Sequence, residues 1–115
     1  MLGLRDSEAF LPELVESIDG LLLDPGSLEV VAVDAGSSDG TLSILRRWSD
    51  RSPWAIRILD HPEAGGRSAR SHGLEAAVGE WVLFLERDFL LDRGALGAAN
   101  ALLERHPEVA LAALP

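Results

Sequence analysis

Apolar positions along the chain change spacing from segment to segment, and each change marks a new element. From Phe10 they recur at Leu11, Leu14, Val15, Ile18, Leu21 and Leu22. That is the single stripe of an amphipathic helix, with Glu13, Glu16 and Asp19 facing the other way. Pro12 is tolerated only in the first turn, and Asp6 and Ser7 are candidate caps. Asp24-Pro25-Gly26 is turn chemistry and stops the helix. The run Leu28-Glu29-Val30-Val31-Ala32-Val33-Asp34 is then short, β-branched and almost continuously apolar, the pattern of a strand buried on both faces. Ala35 to Gly40 is a polar turn rich in Gly, Ser and Asp. A second helix, capped by Ser38 or Asp39, buries Leu42, Ile44, Leu45 and Trp48 and wets Arg46, Arg47 and Asp50 until Ser52-Pro53 ends it.

The second half repeats the rhythm. Trp54 to Asp60 alternates loosely and predicts a strand; His61 to Gly66 is a loop. Arg67 to Val78 predicts a helix stopped by Gly79. Gly73 inside it marks a close-packing site, at about 1 kcal/mol against Ala. Trp81 to Leu85 predicts the second strongly buried strand, running into Glu86-Arg87-Asp88. Asp92 caps a helix through Leu96, Ala99, Leu102 and Leu103, Pro107 ends it, and Val109 to Leu114 predicts a last strand. Alternating strands and helices make an α/β domain with a largely parallel sheet, here one domain over residues 1–115. In such sheets ligands bind beyond the carboxyl ends of the strands, which is where Asp34 stands.

Composition narrows the function. A chain of 115 residues with a formal net charge of −9 has no basic surface for nucleic acid. An acidic protein that handles phosphates needs a bridging cation or a local Arg cluster. There is no Cys, so disulfides and thiolate metal sites are excluded. The longest apolar runs fall far short of the roughly 20 residues of a membrane helix, and Met1 to Leu4 is no signal peptide. A cytoplasmic location is the default, with membrane association of a parent protein left open.

Both buried strands end in carboxylates, Asp34 on one and Glu86 and Asp88 on the other. If the tips share a crevice, their oxygens suit a hard cation such as Mg²⁺, which commonly shares its ligands with substrate phosphates. The competing reading is a solvated acidic loop, and spacing alone favours that one.

Two runs carry a family resemblance. Val30-Val31-Ala32-Val33-Asp34-Ala35-Gly36-Ser37-Ser38-Asp39-Gly40-Thr41 resembles the nucleotide-sugar-binding segment of family 2 glycosyltransferases. The run from Gly65 through Arg67, Arg70 and Gly73 to Leu85-Glu86-Arg87-Asp88 resembles that family's helix and strand leading to its Asp-x-Asp motif. The resemblance covers the chain from Arg5 and implies a GT-A fold, a three-layer sandwich. It implies inverting transfer from a nucleotide-diphosphate sugar to an acceptor hydroxyl, the acceptor being unknown. Asp34 would contact base or ribose. Glu86 and Asp88 would take the outer Asp-x-Asp positions and hold ribose and a Mg²⁺ or Mn²⁺ ion on the diphosphate. Arg67 and Arg70 would either meet the diphosphate or remain solvated or ion-paired.

The differences from the family pattern are specific. Ala35 replaces a second Asp that contacts the base. Glu86 replaces the first Asp of the metal motif, moving its oxygens by about a bond length in a geometry-sensitive position. Arg87 is placed to pair with Glu86 or to reach a phosphate, and Ser71 replaces a common Asn. The family's sheet also has a central strand before the first helix, and Met1 to Leu4 is too short for a full one. The fold is thus expected to be incomplete at both ends. A gap would be filled by a partner chain, by rearranged pairing or by self-association, and no residue here matches the catalytic base. The competing function is therefore a catalytically silent domain serving as a binding module. A phosphoacceptor receiver built on Asp34 lacks its acidic pair and late Lys, and Gly36 and Gly40 do not form the dinucleotide fingerprint. His61 and His72 have no metal-ligand spacing, His106 reads as a helix-end residue, and Trp48, Trp54 and Trp81 read as core or half-buried packing, not a sugar-stacking platform.

Overall fold

The hydrophobic pattern is realised as seven main elements in the computed structural model, which describes residues 1–62, 66–85 and 90–106. They are β1 (Leu2–Leu4), α1 (Leu11–Asp19), β2 (Glu29–Asp34), α2 (Thr41–Arg51), β3 (Ala55–Asp60), α3 (Gly66–Ala76) and α4 (Ala95–Arg105). A short 3-10 turn, Pro25–Ser27, joins α1 to β2 where the turn was expected. The strands form a parallel sheet in the order β1-β2-β3. Leu4, Asp34 and Asp60 stand level at its carboxyl edge.

Side-chain alternation explains why β2 is apolar throughout. Val30 and Ala32 point into a core with Leu2, Leu4, Leu11, Leu14, Val15, Ile18, Leu45, Trp48 and Trp54. Val31 and Val33 point the other way, onto Ala69 of α3 with Met1 and Leu59 alongside. Helices α1 and α2 therefore cover one face and α3 the other, giving the three layers. Each fully buried Val of β2 contributes about 1.5–3 kcal/mol of transfer free energy.

Polar bonds tie the layers. The Trp48 indole N–H donates to Asp19 Oδ1 at 2.8 Å, and Ser52 Oγ donates to the same atom at 2.8 Å. The Trp54 indole N–H donates to the Ile18 carbonyl at 3.0 Å. Asp19 is thus not on the wet side of α1 as its spacing predicted; the end of α2 folds over it. On the opposite face the Arg57 guanidinium pairs with Glu29 at 2.8 Å and donates to the carbonyl of Ala76 at 2.5 Å, while Glu29 accepts the Val78 N–H at 3.2 Å. Gly73 is a close-packing site as expected: a Cβ there would run into the Met1 thioether.

Four expectations need correction. The slot before the first helix is not empty: three residues, Leu2–Leu4, pair in parallel with Ala32 to Asp34. A parallel bridge from Leu2 to Leu85 places β1 inside, between β2 and the Trp81–Leu85 segment. The gap expected there, to be closed by a partner chain, by rearranged pairing or by self-association, is occupied by this chain's own Leu2–Leu4. Second, Trp81 to Leu85 is not a strongly buried strand. Trp81 is 42% and Phe84 45% exposed, so of the two readings of Trp81, core or half-buried packing, the core one is ruled out. Its main-chain bonds to β1 are Leu85 N–H to Met1 O at 3.0 Å and the Met1 amine to Leu83 O at 2.6 Å. Apolar side chains alone do not make a ladder, and a three-residue strand offers few partners. Third, the cap of α4 (from Ala95) is Gly94, not Asp92, whose carbonyl instead accepts the Ala95 N–H at 3.0 Å. Fourth, Leu22 is exposed because α1 has already ended at Asp19. His106 does stand at the end of α4. The expected stop at Pro107 and strand at 109–114 lie outside the described residues.

Candidate functional site

The carboxyl edge of the sheet is where chain reversal and charge coincide. Asp34, the last residue of β2, is 2% exposed. A carboxylate held away from water needs hydrogen bonds. Ser37 supplies them, its hydroxyl donating to Oδ1 and its N–H reaching Oδ2 at 3.4 Å. The reversal that brings Ser37 back needs Gly36, which has φ +80°. A Cβ at Gly36 would also come within 2.6 Å of the Pro62 carbonyl. Beside it, the Asp34 carbonyl accepts the His61 N–H at 2.9 Å and the Leu4 carbonyl accepts the Ala35 N–H at 2.8 Å. The exits of all three strands are thereby locked to one another.

A second loop, Arg5 to Glu8 after β1, is stitched to the turn after β2. Asp6 Oδ1 accepts the Ser38 N–H at 2.7 Å, and the Asp6 N–H donates to Ser37 Oγ at 2.9 Å. The Ser7 N–H donates to Thr41 Oγ1 at 2.8 Å. The Glu8 N–H donates to Asp39 Oδ2 at 3.2 Å, and Glu8 Oε2 accepts the Gly40 N–H at 3.2 Å. The N-cap of α2 is Gly40, not Ser38 or Asp39 as the sequence predicted; Asp39, one residue earlier, accepts the Thr41 N–H at 3.0 Å. The Thr41 hydroxyl bond holds the Asp39 carboxyl below the ordinary carboxylate range. These bonds decide one point of chemistry. The N–H groups of Ser38, Gly40 and Thr41, which at a helix start often cradle phosphate, are already taken by carboxylates. A phosphate group at this edge would have to be met elsewhere.

Of the expected site residues, Arg70 is exposed on α3. The Arg67 side chain, Glu86, Arg87 and Asp88 lie outside the described residues. Leu85, just before Glu86 in the sequence, is bridged in parallel beside Leu2. Among the described residues no three His, Asp or Glu side chains come together to hold a metal ion. An open recess of about 380 Å³, lined by Ser27, Leu28, Glu29, Ala55 and Val78, lies at the opposite, amino edge of the sheet. Its lining has no convergent charge suited to phosphate, and it lies far from Asp34.

Residues 5–115 match the family described as glycosyl transferase family 2. The chain belongs to that family. The poly(ribitol-phosphate) beta-N-acetylglucosaminyltransferase TarS of Staphylococcus aureus is 30% identical over 101 residues, covering 88% of this chain and 18% of TarS. The crystal structure of TarS residues 1–349 with UDP superposes with a TM-score of 0.86 at 27% identity, covering 93% of this chain and 32% of that one. The mannosyltransferase PcManGT of Pyrobaculum calidifontis, solved with GDP-Man and Mn²⁺, gives a TM-score of 0.83 at 30% identity, covering 89% of this chain and 30% of that one. The fold is therefore of the GT-A type, and this family 2 domain spans about a third or less of the proteins it matches. No helix among its described residues is long and apolar enough to cross a membrane.

Sequence reasoning missed part of this family 2 site. Asp6 was legible only as a candidate helix cap and Glu8 was not singled out at all, because their partners lie more than 30 residues away. The signal that would have found them is β1 itself, since loops leaving adjacent parallel strands are neighbours. The stacking of His61 on His72, with ring centroids 4.0 Å apart and planes within 12°, also had no local signature.

Proposed function

We propose that this chain is the donor-binding part of a family 2 glycosyltransferase, folding as one domain over residues 1–115. It binds a nucleoside-diphosphate sugar together with Mg²⁺ or Mn²⁺ for inverting transfer to an acceptor hydroxyl. The observation that carries this reading is the locked carboxyl edge, where the loops after β1, β2 and β3 meet around Asp34, in a fold shared with transferases solved with UDP and with GDP-Man.

Asp34 and the turn it organises form the base and ribose side of the site. Arg70 and Arg67 would meet the diphosphate. Asp88 and Glu86 are the oxygen donors suited to a hard divalent ion, and they follow directly on Leu85. When bound, such an ion neutralises negative charge on the diphosphate leaving group. The chain's own contribution is to hold the nucleotide and to shape the pocket rigidly. The general base belongs to no residue identified in this chain.

Isothermal titration with UDP-GlcNAc and GDP-mannose, with and without Mn²⁺, tests the reading. The expected result is Mn²⁺-dependent binding of one donor, weakened about tenfold or more (1.4 kcal/mol per tenfold) by Asp88→Ala. Absence of binding to either donor at millimolar concentration overturns it. That result supports the silent binding module, which Ala35, Glu86 and Arg87 favour.

A further inference from the structure

We infer that Asp6, on the loop after β1, is a positioning residue of the donor site. It acts on Asp34 through Ser37 and on the turn before α2 through Ser38. This inference rests on the donor-site reading above.

The backbone at Asp6 is the first observation. Its φ is +47°, and it is the only non-glycine residue among those described with a positive value. Such a conformation persists where the surroundings over-determine it, and it is then a pointer to function. Here both ends of the residue are used. The left-handed backbone aims the Asp6 N–H at Ser37 Oγ, 2.9 Å away, while the carboxylate turns back to accept the Ser38 N–H at 2.7 Å and the Ser38 hydroxyl at 3.3 Å.

Hydroxyl bookkeeping is the second. A Ser hydroxyl has one proton to give and lone pairs to receive with. Ser37 Oγ accepts the Asp6 N–H and gives its own proton to Asp34 Oδ1. Asp34 Oδ2 receives only the long 3.4 Å approach of the Ser37 N–H. Asp6 therefore holds in place the Ser37 hydroxyl that engages one oxygen of the buried Asp34 carboxylate and leaves the other less engaged. It also fixes the Ser37–Gly40 turn against the loop after β1. Asp6 is itself exposed, so burial does not account for its conformation.

Three variants of the whole chain separate this role from backbone strain. Asp6→Asn keeps both the tolerance of positive φ and an acceptor oxygen; Asp6→Gly keeps the tolerance and loses the acceptor. Ser37→Ala breaks the relay without touching Asp6. UDP affinity in Mn²⁺, amide hydrogen exchange at Ser38, and Tm are read for each. Asp6→Asn should match the parent within about twofold in affinity and exchange. Asp6→Gly should weaken UDP at least fivefold and speed Ser38 exchange at least tenfold, with Tm nearly unchanged. Ser37→Ala should weaken UDP as much as Asp6→Gly. The inference is overturned if Asp6→Gly keeps UDP affinity and Ser38 exchange within twofold of the parent, or if Asp6→Asn loses as much as Asp6→Gly. If the parent itself binds no nucleoside diphosphate, the donor-site reading fails on its own. Ser38 exchange then decides: unchanged in Asp6→Gly, it overturns the positioning role; faster in Asp6→Gly alone, it upholds Asp6 as the residue that holds the turn.

Discussion

Trp48, wholly buried, gives its indole N–H to Asp19 at 2.8 Å. The same oxygen takes the Ser52 hydroxyl, so one carboxylate closes the end of α2 onto the end of α1. Asp19→Ala leaves the indole nitrogen without its acceptor in a dry site. Such a loss costs about 1–3 kcal/mol. Urea denaturation should show the midpoint fall with the slope unchanged. Asp19→Asn keeps an acceptor oxygen and should recover most of the loss.

Gly36 is fixed twice, by its backbone and by its neighbour. A left-handed conformation costs a non-glycine residue about 1–2 kcal/mol, and the Pro62 carbonyl leaves no room for a Cβ. Gly36→Ala should therefore destabilise the chain by more than that backbone cost alone. It should also weaken nucleotide binding more than Asp19→Ala does, because it disturbs the turn that holds Asp34. Denaturation and UDP titration of the two variants side by side check this.

At Gly73 two effects oppose each other. Alanine is better than glycine in a helix by about 1 kcal/mol. Overpacking typically costs about 1–3 kcal/mol, and the added methyl would run into Met1, which packs against Val31, Val33 and Ala69. Met1 would have to give up part of that packing to make room, so packing should win. Gly73→Ala is expected to lower stability despite its helix propensity, and a rise in Tm would contradict the assignment.

The free Met1 amine gives a pH signature. Burial lowers it from 8.0 to about 6, with nearby Glu29 pulling the other way. The unfolded chain keeps this proton up to about pH 8, whereas the folded chain has released it above about pH 6. Unfolding therefore takes up a proton in that window, and stability rises with pH across it. Two pH units correspond to about 2–3 kcal/mol at most. Urea midpoints measured across the window should climb, and acetylation of the amine should flatten the climb.

The parts of the fold that were legible in the sequence are those whose cause is local. β2 is buried on both faces, so its apolar run is unbroken, and the turn after it carries the Gly and Asp that its geometry requires. α1, α2 and α3 show their stripes. β1 was illegible because three residues carry no period; it is a strand only because β2 and Leu85 lie on either side of it. Trp81 to Leu85 failed in the opposite sense, since its apolarity promised a ladder that a three-residue neighbour does not supply. In the site, Asp34, Gly36 and Asp39 stood out by type and spacing. Asp6, Glu8 and Asp19 did not, because an acidic residue near a helix end reads the same whether it faces solvent or a distant partner.

The stitching between Asp6, Ser7 and Glu8 and the turn from Ser37 to Thr41 crosses 31 to 34 residues of chain. A fragment cut to begin at Glu29 would keep every letter of the recognisable motif and lack the clamp that gives it shape. Adding residues 1–28 back as a separate peptide should restore it, making split-chain complementation a direct gauge of how far the motif depends on its partner.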